Sequence, residues 1–261
     1  VLTIVLMCGM LVQGVQAKEY TETAGGEDEG KLAEDYNKYL QTIYGRKNGI
    51  PGGLANDIAQ TNDGVLWFGT YGGLYRYNGS DFEWIDEYES VKTVNCLYRD
   101  EEGRLWIGTN DSGVSIIIKD TLSNVISHED GLAADSVRCI TQSADGDYYV
   151  GTTGELSVLT LAGGLSVKQT IHEVTYARSI SADSVGNVAV VTDEGSLYLV
   201  NSGTITEKIV NDDGVGYTSC LFIEDTLYAG TSDNEIEIYS LAGNAVVYQR
   251  SDEVIAGQYQ G

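Results

Sequence analysis

A seven-residue motif recurs five times along the chain and constrains its fold more than any other feature. Each copy begins with a turn residue, continues through apolar or aromatic residues and closes on threonine: Gly64–Thr70, Gly103–Thr109, Gly146–Thr152, Gly186–Thr192 and Asp225–Thr231. The closing threonines are 39, 43, 40 and 39 residues apart. Four short strand-like runs, separated by turns rich in Gly and Asn, make up each unit. Four strands in about 40 residues are typical of one blade of a β-propeller.

We therefore predict an all-β fold, a β-propeller of four-stranded antiparallel blades, with five blades visible in this chain. The predicted blades lie near residues 54–88, 94–129, 137–171, 177–210 and 217–251. In the first blade the predicted strands are Leu54–Thr61, Val65–Thr70, Gly73–Asn78 and Phe82–Tyr88. A parallel β-helix would have shorter repeats, and a solenoid of helix pairs would show helical periodicity, which these units lack.

The start of the chain differs in composition from the repeats. Residues 1–17 contain an uncharged apolar run, too short to span a membrane, that ends near a small-residue cleavage site. We interpret them as a truncated signal peptide and expect the protein to be exported; the alternative is an ordinary buried strand or helix. Residues 18–38 are predicted to form an acidic linker, and the propeller covers residues 39–261. A strand predicted over Tyr39–Tyr44 would help to close the ring.

Charge and histidine content exclude several classes of function. The chain has 39 Asp and Glu residues against 15 Lys and Arg, a net charge of −24, so nucleic acid is not an expected partner. His128 and His172 are the only histidines, and we place both in connections between blades. We predict no catalytic residue, no metal site and no cofactor, because the sequence suggests no Ser-His-Asp, Cys-His or paired-His arrangement.

One strand position that is polar in every repeat provides the candidate binding site. The first strand of each blade lines the central channel of a propeller, and the residues at this position, the polar ring, are Asn56, Asn95, Arg138, Arg178 and Ser219. Two of the seven arginines of this acidic chain occupy the ring. We predict that it binds a small molecule or an oligosaccharide through carboxylate or hydroxyl groups. The alternative is a water-filled channel lined by whatever side chains are soluble.

The motif tryptophans are assigned to the core. Trp67 and Trp106 lie in the middle of a strand, at the repeat position that Tyr149 and Tyr228 occupy in other blades. Neighbouring blades of a propeller pack face to face at such positions. We therefore expect both tryptophans to pack between blades, although exposed tryptophans could also serve as platforms for sugar rings.

The cysteines are also assigned to the core. Cys96, Cys139 and Cys220 are aligned at one position of the first strand, where Asp57 and Ser179 replace cysteine in the other blades. Equivalent positions of different blades lie too far apart for a disulfide. We therefore expect three free, buried thiols.

The repeats resemble those of the two-component regulator propeller family. The family pattern includes the segments Gly-Leu-Pro, Ile-x-Gln-Asp and Gly-x-Leu-Trp-Ile-Gly-Thr. The first unit matches it at Gly49, Pro51, Ile58, Gln60, Gly64, Trp67, Gly69 and Thr70, and the second at Leu97, Gly103, Trp106, Gly108 and Thr109. The fourth unit is degenerate, since Ala189 and Val191 replace the Trp and the second Gly. The resemblance spans about residues 39 to 251.

This resemblance implies a role in signalling. Propellers of the family usually lie outside the cytoplasmic membrane as sensor domains, in bacterial hybrid histidine kinases and membrane-bound diguanylate cyclases. Rings of about seven blades are usual, so these five would be part of a larger ring. The resemblance thus implies an extracytoplasmic ligand-sensing propeller whose link to the membrane is a missing C-terminal segment. A homodimer is considered for the full-length protein.

Two other classes of function stay open. A secreted propeller that acts as an adhesion or protein-interaction scaffold is compatible with the same repeats. A propeller lyase or glycosidase is less favoured, because sialidases need a convergent arginine cluster and streptogramin lyases use a catalytic histidine with a metal.

Overall fold

The computed structural model of the chain describes Gly49 and residues 55–210, 214–242 and 245–253. The predicted signal peptide, the predicted linker and the strand predicted over Tyr39–Tyr44 lie outside these described residues. The chain divides into two compact units, Val1–Gly53 and Leu54–Gly261, and the fold described here is that of the second. Within the described part, no helix has the length and apolar character that crossing a membrane requires.

Twenty β-strands form five four-stranded antiparallel sheets, and within each sheet the strands follow one another in chain order. The first sheet contains β1 Asp57–Gln60, β2 Leu66–Thr70, β3 Gly73–Tyr77 and β4 Phe82–Ile85, and the second contains β5 Val94–Arg99, β6 Leu105–Thr109, β7 Val114–Ile118 and β8 Thr121–Ile126. The third contains β9 Val137–Gln142, β10 Tyr148–Thr152, β11 Glu155–Thr160 and β12 Ser166–Thr175. The fourth contains β13 Ala177–Ala182, β14 Asn187–Thr192, β15 Leu197–Asn201 and β16 Thr204–Ile209. The fifth contains β17 Tyr217–Ile223, β18 Thr226–Thr231, β19 Glu235–Ala242 and β20 Ala245–Glu253.

The predicted all-β class and the four-stranded blades are confirmed by these sheets. Helical structure in the described part is limited to two short 3-10 turns, Glu89–Val91 and His128–Asp130, both in connections between sheets. The second turn begins at a capping box made by Ser127 and Asp130, which satisfies its first backbone donors. It ends at Gly131, whose φ of 99° is a left-handed conformation that glycine adopts at no steric cost.

The first strands of consecutive sheets lie side by side around an axis. β1 contacts β5, β5 contacts β9, β9 contacts β13, and β13 contacts β17. Side chains join two of these junctions directly. The Nδ2 atom of Asn56 donates to the backbone carbonyl of Val94 at 2.7 Å, and that of Asn95 donates to the carbonyl of Val137 at 2.9 Å. The sheets are therefore arranged radially, as the blades of a propeller are.

Apolar side chains fill the four spaces between consecutive sheets, with one buried cluster in each space. Trp67 is 1% exposed and packs in the cluster between the first and second sheets. Trp106 is fully buried between the second and third sheets, where its ring stacks on Tyr148 with centroids 3.9 Å apart. The expected core role of both tryptophans is confirmed. Tyr149 is buried in the same way, whereas Tyr228 of the fifth sheet is half-buried.

The fifth sheet is out of register with the others by one residue. In each sheet, one residue of the first strand pairs with the residue just before the closing threonine. These five paired residues occupy equivalent positions, and they are Asp57, Cys96, Cys139, Ser179 and Ser219. Cys220 was expected there, but it lies one residue further along the strand. This position lies 13 residues before the closing threonine in the other four units, and a hairpin one residue shorter makes it 12 in the fifth, which puts Ser219 there; Cys220 would need a hairpin two residues shorter. Phe222 pairs with Leu227 across residues 223–226, whereas Gln142 pairs with Tyr148 across residues 143–147.

Candidate functional site

A cleft of about 460 Å³ opens at one end of the axis between the first strands. Its lining includes Asn56, Tyr71, Asn95, Asn110, Arg138, Arg178 and Asp193. Four of these residues are members of the predicted polar ring, and the structure brings them to one opening because each stands at the start of the first strand of its sheet. The side chains that line the cleft are mostly polar or charged, so it suits a ligand with several hydrogen-bonding groups.

Ser219 does not occupy the polar-ring position. In the fifth sheet the residue equivalent to Arg138 and Arg178 is Thr218, because the hairpin there is one residue shorter, whereas Ser219 would need one two residues shorter. The hydroxyl of Thr218 donates to the carbonyl oxygen of Gly230 at 3.1 Å. The expectation that placed Ser219 in the ring is therefore corrected to Thr218, and neither residue is among those that line the cleft.

The other lining residues share a second position that the sequence analysis did not single out. Each directly follows the closing threonine of a repeat: Tyr71, Asn110 and Asp193. The backbone N–H of Asn110 donates to the carbonyl of Thr93 at 2.8 Å, and the N–H of Asp193 donates to that of Tyr176 at 2.9 Å. These bonds hold Asn110 and Asp193 at the mouth of the cleft, each beside the start of the first strand of its own sheet. The sequence signal is the residue that follows each closing threonine.

Asn56 and Asn95 serve both the architecture and the cleft. Their Nδ2 groups are used at the junctions between sheets, as described above. Their Oδ1 atoms make no hydrogen bond within the described residues and remain acceptors at the wall of the cleft. Both asparagines therefore combine a structural tie with a possible ligand contact.

The two arginines of the ring have different surroundings. Arg138 Nη1 donates to Asp193 Oδ2 at 3.0 Å, an ion pair between the third and fourth sheets whose side chains are 40% and 39% exposed. Arg178 is exposed and makes no ion pair or hydrogen bond within the described part of the chain. Among the described lining residues, two positive charges and one negative charge leave a net charge of +1, in a chain whose net charge is −24.

Asp57 has a structural explanation that its sequence position did not suggest. Its Oδ2 atom accepts the backbone N–H of Leu97 at 2.7 Å, so it satisfies a donor at the inner edge of the next sheet. Ser179 does the same for Cys220, whose N–H lies 3.0 Å from the serine hydroxyl. Burial raises the pKa of Asp57, although the backbone N–H groups of Leu97 and Ile58, which donate to its carboxylate, oppose the shift.

The histidines do not form a catalytic or metal site in the described residues. No group of three or more His, Cys, Asp and Glu residues there could hold a metal ion. His128 lies in a connection, with Nδ1 3.0 Å from the carbonyl oxygen of Leu132. His172 was expected in a connection, but it lies within β12, which extends to Thr175. Its exposed ring has Nδ1 3.6 Å from Glu155 Oε1, on the outer strands of the third sheet.

The three described cysteines are free and buried, as expected. Burial raises the pKa of Cys96 and Cys139 well above the ordinary value for a thiol and raises that of Cys220 to about 12. Because the thiolate is the reactive form, these groups are protonated and shielded from reagents in the folded state.

We therefore expect a variant with Cys8→Ser to show fewer than one reactive thiol when native, at about pH 8, and three after denaturation. The measurement is the absorbance change with a chromogenic aryl disulfide reagent, with and without denaturant. Rapid reaction of two or more thiols in the native protein would contradict the burial of these side chains.

The radial sheets and the polar opening at the axis define a β-propeller. Comparison with known proteins identifies the family that its repeats resemble. Residues 49–72 and 89–111 match the model of the family described as two component regulator propeller. The resemblance to this family is thereby confirmed, and the matched segments are the same two units that carry the tryptophan motif. No curated protein matches the chain significantly.

Solved structures with the same fold include extracellular domains from B. thetaiotaomicron. The domain of BT3049, named as a hybrid two component system, is 19% identical with a TM-score of 0.61, and the match covers 75% of this chain and 28% of that one. The domain of BT4673, named as a one component system, is 14% identical with a TM-score of 0.61, covering 76% and 30%. This chain thus spans less than a third of the length of either domain.

A virginiamycin B lyase from Staphylococcus aureus has the same fold. It is 14% identical with a TM-score of 0.60, and the match covers 77% of this chain and 70% of that one. At this level of identity the likeness shows a propeller fold and nothing about chemistry. The same limit applies to the two extracellular domains.

Proposed function

We propose that this chain is the extracytoplasmic ligand-sensing propeller of a bacterial transmembrane signalling protein, with the ligand bound in the cleft at the axis. Two findings support the proposal. Two repeats match the two-component regulator propeller family, and the fold is shared with extracellular domains of proteins named as one- and two-component systems. The output would come from a kinase or diguanylate cyclase domain of the same protein, and the propeller would lie on the extracellular or periplasmic side of the membrane.

The observation that carries the proposal is the convergence of four polar-ring residues on one cleft. Its volume of about 460 Å³ is within the range of about 300 to 1,000 Å³ found for small-molecule sites. An unpaired guanidinium and two amide oxygens face this opening, and they provide both donors and acceptors to a ligand. A channel that only held water would not require a guanidinium without a partner in so acidic a chain.

We expect Asn110→Trp to weaken binding of any cleft ligand by at least about tenfold, because the indole fills part of the opening at an exposed lining position. Ser123→Trp is the matched control, since Ser123 is exposed on β8, away from the first strands. The measurement is calorimetric titration of the three proteins with acidic and neutral oligosaccharides and small carboxylates. Equal affinity of a ligand for the wild type and for Asn110→Trp would show that its binding site lies outside the cleft.

A further inference from the structure

Resting on the proposed function, we propose that the cleft selects organic acids that contain a ring, and that Arg178 rather than Arg138 binds the carboxylate. The sequence treats the two arginines alike, because they stand at equivalent positions of the third and fourth sheets. The structure distinguishes the two arginines, because only Arg138 has an ion-pair partner within the described residues.

Arg178 is alone among the six described arginines in having no hydrogen-bonded partner within the described residues. The other five bind acidic or amide oxygens, and they are Arg76, Arg99, Arg104, Arg138 and Arg250. In this acidic chain four of the six described arginines pair with a carboxylate, so an unpaired guanidinium inside a cleft is an exception. Its planar array of N–H donors matches a carboxylate, which accepts two of them at once.

Arg138 is less suited to the same task because the carboxylate of Asp193 already balances its positive charge. The ion pair is a single contact, Nη1 to Oδ2 at 3.0 Å, so Asp193 Oδ1 stays available as an acceptor. A second carboxylate placed on Arg138 would meet the negative charge of Asp193. The pair therefore favours a hydroxyl or other donor of the ligand at this side of the cleft, and it directs the ligand's carboxylate to Arg178.

Tyr71 supplies the surface for a ring. Its side chain is 67% exposed and lines the same cleft from the first sheet, whereas Arg178 lines it from the fourth sheet. An exposed phenol ring presents an apolar face that stacks on sugar C–H groups or on an aromatic ring. A ligand that contacts Tyr71 and Arg178 together therefore carries both a ring and a carboxylate. Sugar acids and aromatic acids both satisfy this chemistry.

The experiment titrates each protein with two pairs of probes, galacturonate against galactose and benzoate against benzyl alcohol. For the wild type we expect the acid of at least one pair to bind more tightly than its neutral partner. Arg178→Gln should weaken binding of that acid roughly tenfold to a hundredfold, the loss of a charge-assisted hydrogen bond, and leave the neutral partner unaffected. The matched control is Arg250→Gln, at an exposed position of β20 away from the cleft, and it should leave the acid's affinity unchanged. Arg138→Gln should weaken binding of the acid less than Arg178→Gln does, because the charge of Arg138 is already paired with Asp193.

The outcomes separate this inference from the proposed function. Binding that Asn110→Trp abolishes but Arg178→Gln leaves unchanged would keep the cleft as the binding site and overturn the carboxylate assignment. A larger loss for Arg138→Gln than for Arg178→Gln, or failure of all four probes to bind the wild type at millimolar concentration, would also overturn it. The probe pair that shows the preference for the acid tells whether the ligand is a sugar acid or an aromatic acid. Tyr71→Ala should weaken the binding of both members of that pair.

Discussion

Replacing Trp106 by alanine is expected to lower the free energy of unfolding by about 3 to 5 kcal/mol, the range for truncation of large aromatic residues in cores. The side chain is fully buried between the second and third sheets, and its ring is stacked on Tyr148. The loss therefore combines apolar surface, the stacking contact and a cavity.

Trp84→Ala is the control for this prediction, because Trp84 is 49% exposed on β4. We expect it to cost about 1 kcal/mol or less. Both variants are compared with the wild type by urea unfolding, followed through the far-ultraviolet circular dichroism of the strands. Equal destabilisation by the two substitutions would show that Trp106 does not pack between sheets as described.

Asp100→Ala is expected to cost about 3 kcal/mol or more, because the carboxylate is fully buried and holds several donors. Its Oδ2 atom accepts from Trp106 Nε1 at 2.8 Å and from the hydroxyl of Tyr148 at 3.1 Å. Arg104 donates to the same carboxylate through its backbone N–H and its Nε atom. Removing the carboxylate leaves the indole N–H without its partner and deprives the guanidinium of one of its two acidic partners, the other being Glu102.

Asp193→Ala provides the contrast, since its ion pair with Arg138 is exposed and should contribute less than about 1 kcal/mol. A second test uses Trp106→Phe, which keeps an aromatic ring but removes the N–H donor. In that background Asp100→Ala should cost about 1 kcal/mol less than in the wild type. Urea unfolding measures all of these variants, and the prediction fails if Asp100→Ala destabilises the protein no more than Asp193→Ala does.

The fold was predictable because the same turn and strand chemistry recurs in each unit. Glycine marks the hairpin between the first two strands of four sheets, and Gly64 and Gly103 adopt φ values of 85° and 82° that other residues avoid. The fifth unit has Asp225 in place of this glycine, so nothing in its sequence fixed the hairpin length. Placing Ser219 and Cys220 in line with the other repeats requires a hairpin two residues shorter than theirs, but the hairpin of the fifth sheet is only one residue shorter, so both residues were misplaced by one position.

The candidate site was predictable only in part. Its first-strand residues follow a repeat, but the residues that follow the closing threonines vary among aromatic, amide, hydroxyl and acidic side chains, and Tyr71 was missed. The pairing of Arg138 with Asp193 joins residues 55 positions apart and depends on the angle between two sheets. Local sequence patterns carry no information on that angle. The unequal roles of Arg138 and Arg178 therefore become visible only in three dimensions.

Asn56 and Asn95 link the cleft to the packing of the blades. Each side chain borders the opening, and its amide also fastens one sheet to the backbone of the next. A ligand that competes for either amide therefore changes the free energy of a junction between blades. Linkage makes the effect reciprocal, so a change in the spacing of these blades alters the ligand's affinity by the same factor. Any ligand that takes one of these amide donors would thus be coupled directly to the spacing of two blades, without a separate hinge or lid.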